Sequence, residues 1–184
     1  MLPKLVRFIP VFVSVCMLLT ACSKDVAVEP DAPDTGAPSD PPTVIIVENQ
    51  ANKDAVLQLV NNARAKGCQC GDTWMPAVSP LTWNTLLELA AARHSKDMAD
   101  RKYFSHNTPA GTTPSQRITA AGYNYNWWGE NIASGPQSEA DVVKGWLNSP
   151  GHCKNLMSPN FREMGVGRTA NLWTQVFAAP AARQ

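Results

Sequence analysis

Only the part of this 184-residue chain that follows about Thr43 has the composition to build a core. Ahead of it, Lys4 and Arg7 precede an apolar run from Phe8 to Leu19. That run is too short to cross a bilayer comfortably and reads as a signal peptide over residues 1–21. From Ser23 to Pro42, Asp, Pro, Ala, Thr and Ser dominate. Such a segment buries too little apolar surface to offset its ordering entropy, and its prolines keep it extended. Residues 22–43 are therefore expected to be a tether, and residues 44–184 a single domain with a proper core.

The junction Leu19-Thr20-Ala21-Cys22 resembles a bacterial lipobox. The resemblance implies cleavage before Cys22, a diacylated sulfur and an acylated new amino terminus. Two or three acyl chains, at about 0.8 kcal/mol per buried methylene, hold a protein on a membrane durably where one is marginal. Ser23, rather than Asp, follows the cysteine, which by the same resemblance points to the outer membrane if the host has two. The expected setting is the bacterial cell envelope, facing an extracytoplasmic space. Without Lys4 and Arg7 the 16 basic residues fall to 14 against 15 acidic ones, a charge near −1. Nucleic acid is excluded as a partner, since phosphate binding needs a concentrated basic face. A monomer is expected.

Cys16 leaves with the signal and Cys22 carries lipid, so Cys68, Cys70 and Cys153 face an oxidising compartment as an odd set. Cys68-Gln69-Cys70 cannot close on itself without strain, so one of the two should reach Cys153. Cys70 is the first choice because Cys70-Gly71 follows the helix as a free-reaching loop, and Cys68 the second. A zinc site of Cys68, Cys70, Cys153 and His152 is the alternative, although it lacks the usual C-x-x-C spacing.

Lys53 to Lys66 carries Val56, Leu59, Val60 and Ala63 at helical spacing and stops at Gly67. Asn84 can cap a second helix with Leu87, Ala91, His94 and Met98 on one stripe. Thr113-Pro114-Ser115-Gln116 supplies a cap, a first-turn proline and a capping-box glutamine for a third, closed by Gly122. Ser138 starts a fourth that ends at Asn148-Ser149-Pro150-Gly151. Strands are expected near Trp127–Ala133, Glu163–Arg168 and Leu172–Ala178. The simplest packing is α+β, an α-β-α sandwich whose small central antiparallel sheet is covered by helices on both sides.

Two of the three histidines, His106 and His152, stand with Glu130 in short motifs: Phe104-Ser105-His106, Gly129-Glu130-Asn131 and Gly151-His152-Cys153-Lys154-Asn155. This pattern points to one assembled imidazole–carboxylate site. Two imidazoles and a carboxylate suit a divalent transition metal, zinc first, held weakly and exchangeably. The alternative is a hydrogen-bonded polar cluster in which Glu130 orients an imidazole. His94, on an apolar stripe, is expected to be a satisfied core histidine. Ser105, Ser149 and Cys153 neighbour histidines in sequence, yet neither H-E-x-x-H nor a Gly-x-Ser-x-Gly elbow is present. Trp127 and Trp128, after Tyr123 and Tyr125, offer a groove wall for an apolar or sugar ligand. Alternation along a strand should bury one tryptophan and leave Trp128 on the Glu130 side.

Taken in order, His94-Ser95-Lys96-Asp97-Met98-Ala99, Tyr103-Phe104-Ser105-His106, Gly129-Glu130-Asn131-Ile132-Ala133, Trp146, Gly151-His152-Cys153-Lys154-Asn155-Leu156-Met157 and Glu163-Met164-Gly165-Val166-Gly167 resemble the CAP superfamily. That is the family of cysteine-rich secretory proteins, antigen 5 and plant pathogenesis-related proteins, and the likeness is closest to its bacterial branch, from about Val56 to Phe177. The resemblance implies an α-β-α sandwich with a cleft lined by two histidines, here His106 and His152, and in many members two glutamates. Glu130 matches one. The other falls at about Ser149, so the carboxylate pair is incomplete, which weakens a paired general acid and base. The resulting expectation is a lipid-anchored binding module for a small or apolar ligand or an envelope component. A hydrolase acting on peptide or cell-envelope material through the same cleft is the alternative.

Overall fold

Side chains that cap helix ends set where the elements begin in the computed structural model, which describes residues 47–182. The signal peptide expected over 1–21, the lipidation expected at Cys22 and the 22–43 tether lie outside the described residues. Asn52 accepts from the Ala55 N–H at 3.1 Å and opens α1 (Lys53–Lys66). Asn84 accepts from Leu86 and Leu87 N–H and opens α2 (Thr85–Asp100). The Thr113/Gln116 capping box starts α3 (Pro114–Ala120), and Ser138 starts α4 (Glu139–Asn148). Each cap satisfies N–H groups that the helix itself leaves without partners.

Three pieces go beyond the sequence expectations, one of them the two-residue strand Thr82–Trp83. A hairpin of β1 (Cys68–Cys70) and β2 (Thr73–Met75) follows α1. A short helix α5 (Pro150–Leu156) carries the His152 motif. Ser149-Pro150-Gly151 does end α4, but proline is equally at home at the first position of a helix, and here it serves both purposes.

The main sheet comprises β3 (Thr82–Trp83), β4 (Tyr125–Ser134), β5 (Glu163–Thr169) and β6 (Leu172–Pro180), in the order β3-β5-β6-β4. The β4–β6 and β5–β6 pairs are antiparallel, whereas the two-residue β3 pairs with β5 in parallel. This amends the expected antiparallel sheet to a mixed one. β3 and β5 are joined by a long crossover, so no tight turn dictates antiparallel pairing.

Helices cover both faces. On one, Val56 and Val60 of α1, Val142 and Trp146 of α4 and Leu156 of α5 pack on Met164, Val166, Trp173 and Phe177 of the sheet. On the other, Leu87, Ala90 and Ala91 of α2 meet Ile118, Tyr123, Val176 and Ala178. Arg64, buried within the first layer, donates to the carbonyls of Ser79, Leu156 and Ser158 and ties α1 to the loops around it. Burial, then the nearby Arg162 charge, lowers its pKa to about 10.

Glycine decides how α2 lies on the sheet. A Cβ at Gly165 would stand 2.1 Å from the Glu88 nitrogen, and one at Gly167 2.3 Å from the Ala92 nitrogen. The helix backbone therefore rests directly on β5, and Ser95 seals the contact by donating to the Gly167 carbonyl at 2.9 Å. Gly167→Ala is expected to destabilise the domain by at least the ~1–3 kcal/mol of an overpacked core, because backbone and not a flexible side chain must yield. Gly145→Ala is the control: it lies in α4 with open space around its Cβ and should stabilise by about 0.4–1 kcal/mol. Urea denaturation midpoints of the two variants should move in opposite directions.

Candidate functional site

The second helix also sets the position of His106. His94, fully buried on α2, donates from Nε2 to the Ser105 carbonyl at 2.9 Å and so fixes the residue next to His106. A carbonyl only accepts, so this contact requires the Nε2–H tautomer. Burial, then the Arg117 charge, keeps the His94 pKa below the usual imidazole range, which favours the neutral ring. His94 is thus the satisfied core histidine expected from its stripe, with the added task of anchoring a site loop.

Glu130 sits in the middle of β4 with a side chain only 2% exposed. Both carboxylate oxygens are engaged: Oε1 accepts from His106 Nδ1 at 2.8 Å and Oε2 from Arg117 Nη2 at 2.7 Å. Arg117, on α3, had not been singled out in the sequence. One signal could have found it: a carboxylate placed in a central strand segment needs a charged partner, and an imidazole alone supplies little charge at neutral pH. The Nδ1–H bond to Glu130 turns the other nitrogen of His106, on a side chain half exposed, away from the carboxylate with its lone pair free.

His152 comes to the site from α5, on the other side of the edge strand β4. Two asparagines make the join. Asn131 donates to the His152 carbonyl at 3.2 Å and to Gln175 Oε1 at 3.1 Å. Asn155 donates to the Glu130 carbonyl at 3.3 Å and to Asn131 Oδ1 at 3.0 Å. The asparagines of the Gly-Glu-Asn and His-Cys-Lys-Asn motifs thereby bind the two motifs to each other. Burial, then the His106 charge, lowers the His152 pKa, so the two imidazoles feel one another across the cleft.

Ser149 stands at the junction of α4 and α5, where it forms no side-chain cap. Ser105 Oγ accepts from the Asn107 N–H at 3.2 Å. Among the described residues no serine, threonine or cysteine side chain is hydrogen-bonded to His106 or His152. The arrangement can orient an imidazole and present its free nitrogen, and it places no nucleophile against it.

The tryptophan expectation needs correction. Trp127 is 57% and Trp128 39% exposed, so neither is buried. β4 is an edge strand, and a register shift between Tyr125 and Trp127 interrupts the pairing there. Tyr123 and Tyr125 take up the core contacts on that side instead. Trp128 does share a face with Glu130, two residues on along the strand.

Cys70 and Cys153 are joined in a disulfide with their Cα atoms 5.4 Å apart, and Cys68 is a free thiol. Among the described residues, these three form the one set of His, Cys, Asp or Glu ligand atoms that lie within 4.8 Å of one another. Three sulfurs so close are a donor set of the kind soft metal ions take, with two of them tied in the disulfide. His106, Glu130 and His152 do not gather three ligand atoms so closely, which suits Glu130 as the group that orients His106.

Residues 57–176 match the family model described as the cysteine-rich secretory protein family, CAP. The chain is 36% identical over 129 residues to the uncharacterized Bacillus subtilis protein YkwD, a stretch covering 69% of this chain and 47% of that protein. An extracellular SCP-domain protein of Bacillus anthracis is similar in structure with a TM-score of 0.61 at 33% identity, covering 68% of this chain and 39% of that one. An outer surface protein of Borrelia burgdorferi shares the fold with a TM-score of 0.62 at 22% identity, over 74% of this chain and all of that one. The chain therefore spans less than half the length of the two Bacillus relatives.

The Arg117–Glu130 pair predicts a measurable coupling. Arg117→Met leaves a buried carboxylate with a half-exposed imidazole as its sole partner and should cost about 3–5 kcal/mol. Adding Glu130→Gln removes the stranded charge and should recover part of that loss. Urea denaturation of both single variants and the double tests it; a double variant as unstable as the summed singles would remove the coupling.

Proposed function

The chain belongs to the cysteine-rich secretory protein (CAP) family, and on that footing we propose that it is an extracytoplasmic, lipid-anchored binding module. Its cleft, formed by His106, Glu130 and His152, takes a small or apolar ligand or an envelope component. One observation carries the reading: both oxygens of Glu130 are committed to His106 and Arg117, while no nucleophile meets either imidazole among the described residues. A carboxylate so engaged is suited to hold an imidazole in place and poorly suited to activate water. Trp127 and Trp128 add exposed aromatic surface at the same end of β4, with Trp128 on the Glu130 face as the groove wall.

The extracytoplasmic setting draws support from the Bacillus anthracis relative, described as extracellular, and from the signal-like residues 1–21. Among the described residues no helix is long and apolar enough to cross a membrane, and attachment in this reading is through Cys22. Cys22→Ser should release the protein from membranes into the soluble fraction. An unmodified amino terminus elsewhere, found by mass spectrometry of the native protein, would overturn the anchor.

Zinc, if held in this cleft, would rest on His106 through the nitrogen that Glu130 leaves free and on His152, with Glu130 orienting rather than ligating. Such an ion would supply Lewis acidity or a polar anchor for a ligand headgroup. Protons compete for the imidazoles, and because the His152 pKa lies below the ordinary value of about 6.5, its hold on the metal should persist to a pH below that value before it falls. Calorimetric zinc titration should show at least about tenfold weaker binding in His106→Ala and His152→Ala, while removal of zinc from the wild type leaves its fold intact. Equal binding in all three proteins, or none in the wild type, removes the metal. Hydrolysis of peptide or cell-wall substrates that disappears in His152→Ala would replace the binding module with an enzyme.

A further inference from the structure

Three sulfurs meet where the β1–β2 hairpin touches α5, and the cleft makes no use of them. The Cys70–Cys153 disulfide is fully buried, and beside it the half-buried Cys68 thiol lies 3.5 Å from Cys153 Sγ and 3.8 Å from Cys70 Sγ. Cys68 and Cys70 sit two residues apart on β1, so both project to one side of the strand while Gln69 faces solvent.

Two chemistries compete for such a cluster, and its shape separates them. Thiol–disulfide exchange needs the incoming sulfur in line with the bond, which would place it about 2 Å farther from one sulfur than from the other. Separations of 3.5 and 3.8 Å put Cys68 beside the bond instead. A tetrahedral thiolate site has another shape: with a metal–sulfur distance of about 2.3 Å, its sulfurs stand about 3.8 Å apart. Two of the three edges already have nearly that length, and the disulfide closes the third.

We propose that Cys68, Cys70 and Cys153 form a three-thiolate site for one zinc-like soft cation once the disulfide is reduced, so that disulfide and metal are alternative states of one cluster. A dithiol reductant donates two electrons and two protons, breaking the Cys70–Cys153 bond and becoming a disulfide itself. The three thiols then release their protons to solvent as the cation binds. The half-exposed Cys68 side gives the cation its way in and leaves a fourth position for water. His152 follows the cleft side of α5 and takes no part. In either state α5 stays fastened to the hairpin, which keeps His152 in place under oxidising and reducing conditions alike.

Cobalt titration of the full chain tests this, with His106→Ala/His152→Ala as the background so that the cleft imidazoles contribute nothing. After reduction, one Co2+ per chain should give sulfur-to-cobalt charge-transfer absorption that Zn2+ abolishes, while the oxidised protein gives none. Reduced Cys68→Ser, which keeps the other two sulfurs, should bind at least about 100-fold more weakly. The proposal is overturned by a reduced, folded protein that shows no charge-transfer band, or by equal affinity in Cys68→Ser. A band with the disulfide intact, or a reduced chain that unfolds and is not restored by cobalt, overturns it as well.

Discussion

The contact between α2 and the bare glycine face of β5 is the constraint from which the rest of this domain follows. Helix and strand come within backbone distance because Gly165 and Gly167 offer no Cβ to Glu88 and Ala92. That closeness lets Ser95 reach the Gly167 carbonyl and buries His94 at the depth where its ring meets Ser105. A helix held farther off by ordinary side chains would carry His94, and with it the His106 loop, away from Glu130. The position of a polar cleft is thus settled by close packing, whose tolerance is a fraction of an ångström.

A second dependence runs through the Glu130 carboxylate. Burying a charge is unfavourable unless it is paired, and Glu130 is paired twice, by Arg117 from α3 and by His106 from the loop after α2. Two elements that touch the sheet at different places are therefore held by one side chain. On the far side of β4, Asn131 and Asn155 link the same strand to α5 and so to His152. The imidazoles come from elements on the two sides of the sheet, and they meet in one cleft because β4 is its edge strand and no further strand stands between them.

The sulfur cluster stabilises that geometry from a distance. Cys153 directly follows His152, and its disulfide to Cys70, closing a loop of 83 residues in sequence separation, contributes about 2–5 kcal/mol. It anchors a helix of only seven residues, too short to hold itself in water. The polar join through the asparagines, at His152 and Asn155, and the covalent join through sulfur at Cys153 thus act on neighbouring residues of one short element.

The sequence by itself determined what local chemistry dictates. Asn52, Asn84, Thr113 and Ser138 each cap a helix at the position their side chains favour, and apolar spacing marked the faces of α1, α2 and α4. Clustering of His106, Glu130 and His152 in three compact motifs was legible too, since histidine is scarce in this chain. Pairings between distant segments were left to the tertiary structure. Arg117 carries no local signal that it will meet Glu130, and nothing in Ser149-Pro150-Gly151 distinguishes the end of one helix from the start of the next. The exposure of both Trp127 and Trp128 depends on β4 lying at the edge of the sheet, and the parallel pairing of β3 on a crossover that no short window contains. Capping and periodicity act over a few residues and can be read along the chain; burial, charge pairing and close approach depend on which segments meet, and only the assembled fold decides that.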